Sequence, residues 1–78
     1  MKPEYMPKNP QQRLGYLIEE AGEVLAAAGK TLRWGYESSN PELMPEERET
    51  NRAWLKRELK DLKRAISIVE QKDMDADE

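Results

Sequence analysis

Carboxylates are the side chains through which this chain could do chemistry. Its 78 residues include no Cys and no His, which removes thiol nucleophiles, Ser-His-Asp triads and thiolate or imidazole zinc sites together. Sixteen acidic residues remain, and five of them fall in two short groups, Glu19 and Glu20 with Glu23, and Glu58 with Asp61. Converging carboxylates repel one another and raise each other's pKa unless a cation neutralises them. Oxygen-only donors favour a hard divalent ion, and Mg²⁺, with Mn²⁺ as the alternative, is usually held by a few carboxylates, waters and substrate phosphates. The chemistry expected is therefore metal-assisted chemistry on a phosphate.

For the two groups to converge, two helices must carry them. Residues 1–9, with Pro3 and Pro7, read as an extended arm. Asn9-Pro10-Gln11-Gln12 then reads as a helix start, with Asn9 as N-cap, Pro10 at the first position and Gln12 at the third. Leu14, Leu17, Ile18, Ala21, Val24, Leu25, Ala28 and Leu32 repeat at three and four up to a stop at Gly35, so a first helix is expected over about 10–34. The stretch to Pro45 is turn-rich. Pro45 with Glu46, Glu47 and Glu49 suits a second N-terminus, and Leu55, Leu59, Leu62, Ile66 and Val69 give a second helix over about 46–71. The expected organisation is an arm over 1–9, a helical hairpin domain over 10–72 and a frayed acidic tail over 73–78.

The acids occupy equivalent places on both helices. Counting about 100° per residue from Leu17, Glu20 lies near 300° and Glu23 near 240°; counting from Leu55, Glu58 and Asp61 fall at about the same angles. Tyr16, Ala27 and Trp34 on the first helix, and Trp54 and Ala65 on the second, lie between them at roughly 260–280°. A plain solvated face does not usually set acids among Trp, Tyr and Ala, whereas a second, partly buried face does. Gly22, Ala26 and Gly29 beside this face would admit a close neighbour.

The run Leu-Ile-Glu-Glu-Ala-Gly-Glu-Val over 17–24, followed by Glu58-Leu59-Lys60-Asp61, resembles the EExxE and ExxD pair of the MazG-like all-α nucleoside triphosphate pyrophosphohydrolases. The likeness extends from about Arg13 to Ala65. It implies cleavage of a nucleoside triphosphate between its α- and β-phosphates, giving a monophosphate and pyrophosphate. It also implies Glu20, Glu23, Glu58 and Asp61 as metal ligands, with Glu19 orienting a water or helping a second metal; in a carboxylate-and-metal mechanism Glu19 is also the candidate catalytic base. Lys30 and Arg33 could reach the phosphate tail, and Trp34 and Trp54 could edge the nucleotide pocket. The plainer readings are surface charge for the basic pair, subunit-interface packing for Tyr16, Trp34 and Trp54, and a solvated flank for Arg57, Lys60, Lys63 and Arg64.

Size sets the remaining expectation. A chain this short, with no Phe and 37% hydrophobic residues, buries only a thin core alone, and without a disulfide or zinc staple oligomerisation is the common remedy. The fold expected is all-α, an antiparallel two-helix hairpin assembling as a homodimer or tetramer into a four-helix-type bundle. A formal charge of −3 with basic residues interspersed among acids argues against duplex nucleic acid as partner. The chain carries no membrane-length apolar run and no signal-peptide pattern, so a cytoplasmic protein is expected. The rival to an enzyme is a non-catalytic helical interaction module whose second face is only an interface.

Overall fold

The computed structural model describes residues 5–74. Within them, helix α1 runs Pro10–Trp34 and helix α2 Asn51–Val69, joined by a loop that contains a single 3₁₀ turn at Pro45–Glu47. The described residues form no strand, and none of their helices is long and apolar enough to cross a membrane.

Local chemistry sets the helix ends. The Asn9 side chain accepts from the Gln12 N–H at 2.8 Å, and Gln12 Oε1 in turn accepts from the Lys8 N–H at 2.8 Å. This is a capping box shifted by one residue. Gly35 closes α1 with φ +97°, a conformation open to Gly and strained for other residues, and its N–H returns to the Thr31 carbonyl at 2.8 Å.

The second helix begins later than the sequence predicts. Pro45 opens only the 3₁₀ turn, because Arg48 and Thr50 are extended and break the chain away from a helical path. Thr50 is the true N-cap, its hydroxyl accepting from the Ala53 N–H at 3.1 Å. Arg48 points back along the loop and donates to the carbonyls of Leu43 and Pro41, each at 2.8 Å. At the other end α2 continues into a π turn, Glu70–Met74. Asp73, expected in a frayed tail, is there gripped by Arg13 through two bonds of 2.8 and 2.7 Å. Of the segments expected at the ends, residues 1–4 of the arm and 75–78 of the tail lie outside the described residues.

The Arg13–Asp73 pair ties the start of α1 to the end of α2. At the opposite end the buried Asn51 amide donates to the carbonyls of Gly35 at 2.9 Å and Lys30 at 3.4 Å. The two helices are therefore antiparallel. Asn51 thereby caps the end of α1, giving a donor to the Gly35 carbonyl beyond the last intrahelical bond.

The seam between the helices is rotated from the leucine stripe toward the acids, with Leu17, Val24, Leu55 and Leu62 of the stripe half-buried along its edge. Its buried residues are Ala27 and Thr31 on α1, with Asn51, Glu58, Ala65 and Val69 on α2. Leu14, Ile18, Leu25, Leu32, Leu59 and Ile66, expected to face each helix's own core, are exposed. The helices have packed through the face that carries the acids and aromatics, where paired alanines allow close approach. The resulting slab measures 46 × 26 × 14 Å, and its short dimension is little more than one helix with its side chains, about 10–12 Å.

Candidate metal centre

Three carboxylates from the two helices converge at the middle of this seam. Glu20, Glu58 and Asp61 each place an oxygen within 4.8 Å of the others. The equivalence of the i, i+3 pairs on the two wheels explains the meeting: antiparallel helices that pack through matching faces bring those pairs opposite one another. Glu58 is the deepest of the three, with 3% of its surface exposed, while Glu20 and Asp61 are half-buried.

The electrostatics register the crowding. Burial, reinforced by Asp61, Glu23 and Glu19, holds the Glu20 carboxyl above the usual carboxylate range. Burial and the neighbouring Glu23 do the same to Glu58, although Arg57 opposes the shift. Both cases combine desolvation with like-charge repulsion, which disfavour the ionised form.

Glu23 is close enough to hydrogen-bond a protonated Glu58, but it is exposed and stands outside the converging trio. Glu19 is exposed as well, beside Glu20 on the solvent edge of the cluster. Of the four residues that the sequence singled out as ligands, three meet and the fourth sits at their border.

Two cations were read from the sequence as solvated flank, and the structure sets them against the cluster. Arg57 donates to Glu58 Oε1 at 2.9 Å and also binds Glu49. Arg64 lies near both Tyr16 and Glu20, lowering the pKa of each against the other influences on it. The position of Arg64 one turn beyond Lys60 and Asp61 was legible, but not its reach across the seam to Tyr16. Glu20, Glu23, Glu58 and Asp61, with Glu19 beside them, thus outnumber the two guanidiniums, one of which, that of Arg57, is also shared with Glu49. All the converging donors are oxygens, as a hard ion such as Mg²⁺ requires.

Hollows lie to either side of the cluster. One, a cavity of about 870 Å³, is lined by Lys30, Trp34, Asn51 and Trp54 together with the loop residues Ser38–Leu43. It starts one turn of α2 from Glu58, since Trp54 and Glu58 are four residues apart, about 6 Å along the axis. Three of the four expected substrate contacts therefore share one cavity. The fourth, Arg33, is not on its wall and stacks over the Trp34 ring at 4.9 Å from the centroid. Trp54 is half-buried and Trp34 exposed. The second hollow, of about 700 Å³, runs under the N-terminal arm and reaches Tyr16, Glu19 and Glu20.

The arrangement can hold a divalent cation between the helices, with room on one flank for a ligand with an aromatic portion and on the other for solvent. Comparison with protein-family models, with curated proteins and with solved structures gives no match for this chain.

Proposed function

We propose that this chain is a Mg²⁺-dependent nucleotide pyrophosphohydrolase that works as a homo-oligomer. The observation that carries the reading is the convergence of Glu20, Glu58 and Asp61 across the seam, two of them with raised pKa values, beside a cavity whose walls include two tryptophans and a lysine as well as Glu42, Glu47 and Glu49. A buried acidic cluster with surplus negative charge weakens the fold that contains it unless a cation completes it. The cluster departs from the solvated polar surface that helices usually present, and such departures concentrate at functional sites.

In this reading Glu20, Glu58 and Asp61 would hold the metal, with Glu23 at their border as the fourth oxygen donor. Mg²⁺, when bound, supplies positive charge to a phosphoryl oxygen and to an attacking water. Arg57 fixes Glu58 in its rotamer by their hydrogen bond. Glu19, exposed on the side of the cluster that opens to the second hollow, accepts the proton of the attacking water. Trp34 and Trp54 stack against the base, and Lys30 offsets phosphate charge. Water attacks the α-phosphorus, the bond from that phosphorus to the oxygen bridging the α- and β-phosphates breaks, and pyrophosphate leaves with the bridging oxygen while the water oxygen stays on the nucleoside monophosphate. The MazG-like resemblance of the sequence supports this choice of bond.

A non-catalytic helical oligomerisation module is the second reading, and the exposed leucine face favours it. Pyrophosphate release from a panel of ribo- and deoxynucleoside triphosphates separates the two. Release that needs Mg²⁺ or Mn²⁺ and falls at least about 100-fold in Glu20→Gln and Glu58→Gln, with the helical signal intact, is the expected result. A wild type that is inert to every nucleotide, with a melting point indifferent to the metal, replaces the enzyme with the module.

A further inference from the structure

The hairpin is a single layer, and a stable domain needs at least two. Among the described residues its buried apolar side chains are Ala27, Ala65 and Val69, and no side chain below 2% exposure is large. Leu17, Val24, Leu55 and Leu62 are half-buried at the edge of the seam, and the other large apolar residues of the two stripes lie outside it. Exposure is 49% at Leu14, 71% at Ile18, 73% at Leu25 and 90% at Leu32 on α1, and 40% at both Leu59 and Ile66 on α2.

These six residues form one surface. On each helix they lie on the same rotational side of the residues that face the neighbouring helix, and for antiparallel helices that sense of rotation leads to one broad side of the slab. On α1 the row Leu14, Ile18, Ala21, Leu25, Ala28, Leu32 steps by four and three, and on α2 Leu55, Leu59, Leu62, Ile66 does the same before Val69 turns into the interhelix seam; Ala21, Ala28, Leu55 and Leu62 are the half-buried edge of the row. That spacing is the 3.5-residue period of a helix seam. The carboxylates lie on the interhelix seam, not on this side.

Gly22 and Gly29 flank the α1 row, seven residues apart. A Cβ at either would meet nothing within 4 Å, and neither has a positive φ. Glycine inside a helix is unfavourable against alanine, and nothing within the hairpin accounts for the choice. A second helix packed closely over the row does, because only a residue without a side chain lets two helix backbones approach that nearly.

We infer that this leucine face is the seat of a second copy of the chain, packed helix against helix with α1 next to α1 and the two slabs closing into a four-helix bundle. The six side chains expose on the order of 600 Å² per copy, and over two copies this passes the roughly 1,000 Å² that a specific interface requires. A self-complementary apolar face with one seam period on both helices is what a two-fold, isologous contact uses. This assignment deepens the oligomeric part of the proposed function by naming its surface, and it requires neither metal nor turnover.

The test is sedimentation equilibrium of the full chain in chelator, from about 1 to 100 µM, together with thermal melts across the same range. A particle of twice the 9.1 kDa chain mass with a melting point that rises with concentration is expected. Leu25→Asp should raise the dissociation constant at least about 100-fold. Because that variant could fail to fold, Gly22→Ala provides the decisive sign. In a lone hairpin it raises the melting point by about 4–8 °C; in the packed dimer it weakens association at least about tenfold. A wild type that is monomeric at 100 µM, an assembly that Leu25→Asp leaves intact, or a Gly22→Ala chain that melts higher and associates as before overturns the proposal. A monomer would leave the face to a different protein. A dimer that persists in chelator but releases no pyrophosphate would defeat the enzymatic reading and leave this one standing.

Discussion

The two sides of α1 have exchanged their usual tasks. The side toward α2 carries Tyr16, Glu20, Ala27 and Thr31 with only Leu17 and Val24 as half-buried apolar residues, while the side toward solvent carries Leu14, Ile18, Leu25 and Leu32. An isolated two-helix hairpin optimised for its own stability would do the reverse, since burying each leucine is worth about 1.5–3 kcal/mol. Here the seam is narrow enough to hold Ala27 and Ala65 with no exposure, and it closes over Glu58. The difference teaches that the seam is built to position charge and that the larger hydrophobic gain has been left for another surface.

Several changes would break or sharpen that contrast. The largest expected effect on stability is at the alanine seam. Ala65→Leu forces bulk between helices already in contact and should destabilise the chain by about 1–3 kcal/mol, whereas Ala53→Leu on the exposed side of α2 should stay within about 0.5 kcal/mol. Urea unfolding of both variants measures the difference. Equal midpoints would mean that the helices do not pack through Ala65.

Next comes the clasp at the loop end. Asn51→Ala removes the side-chain donor shared by the Lys30 and Gly35 carbonyls and should lower stability by about 1–2 kcal/mol, with the loss of amide protection confined to the last turn of α1 and the first of α2. Uniform loss over both helices would show that the clasp is part of the global core and not a local fastener.

The smallest effect is a dependence on pH, and it has a definite sign. Glu20 and Glu58 are held above their ordinary value of 4.5, so the folded state binds protons more readily than the unfolded one. The stability this gives is fully present below the unfolded value and is lost as the pH rises through the folded values. Metal-free protein should therefore melt higher near about pH 5 than near about pH 8, and Glu58→Gln should flatten the slope. Saturating Mg²⁺ should remove the slope as well, because a bound cation favours the ionised form. Asp73 works in the opposite direction. Its carboxyl is lowered by the Arg13 hydrogen bond, so its contribution is present above the ordinary 3.8 and is lost only in stronger acid, below the window of the melt. A melting point that climbs with pH across that window would remove the electrostatic cost assigned to the cluster.

The helices themselves were legible because their signals are local. Asn9, Pro10 and Gln12 fix the start of α1 within one turn, and Gly35 stops it with a backbone conformation that glycine adopts without strain. The acids were legible because a rigid 3.6-residue period converts sequence spacing into direction. The later start of α2 was harder to read. Pro45 and its acids make a plausible N-terminus, and Thr50 prevails only because Arg48, folded back on Leu43 and Pro41, holds the intervening chain extended. Asp73 sat in what reads as a solvated tail, and its bond to Arg13 spans sixty residues of sequence.

Sequence alone determined the all-α class, the boundaries of α1, the absence of thiol and imidazole chemistry, and the matching placement of Glu20, Glu23, Glu58 and Asp61 on their helices. Each follows from composition or from contacts within a few residues. Tertiary structure alone decided which face of each helix meets the other. Both a leucine stripe and an acid-and-alanine stripe have helical period, and periodicity cannot rank two faces of one helix. The choice depends on how closely two backbones approach across a seam, and that choice brought Glu20, Glu58 and Asp61 together, set Arg57 and Arg64 against them, and left the leucines facing outward.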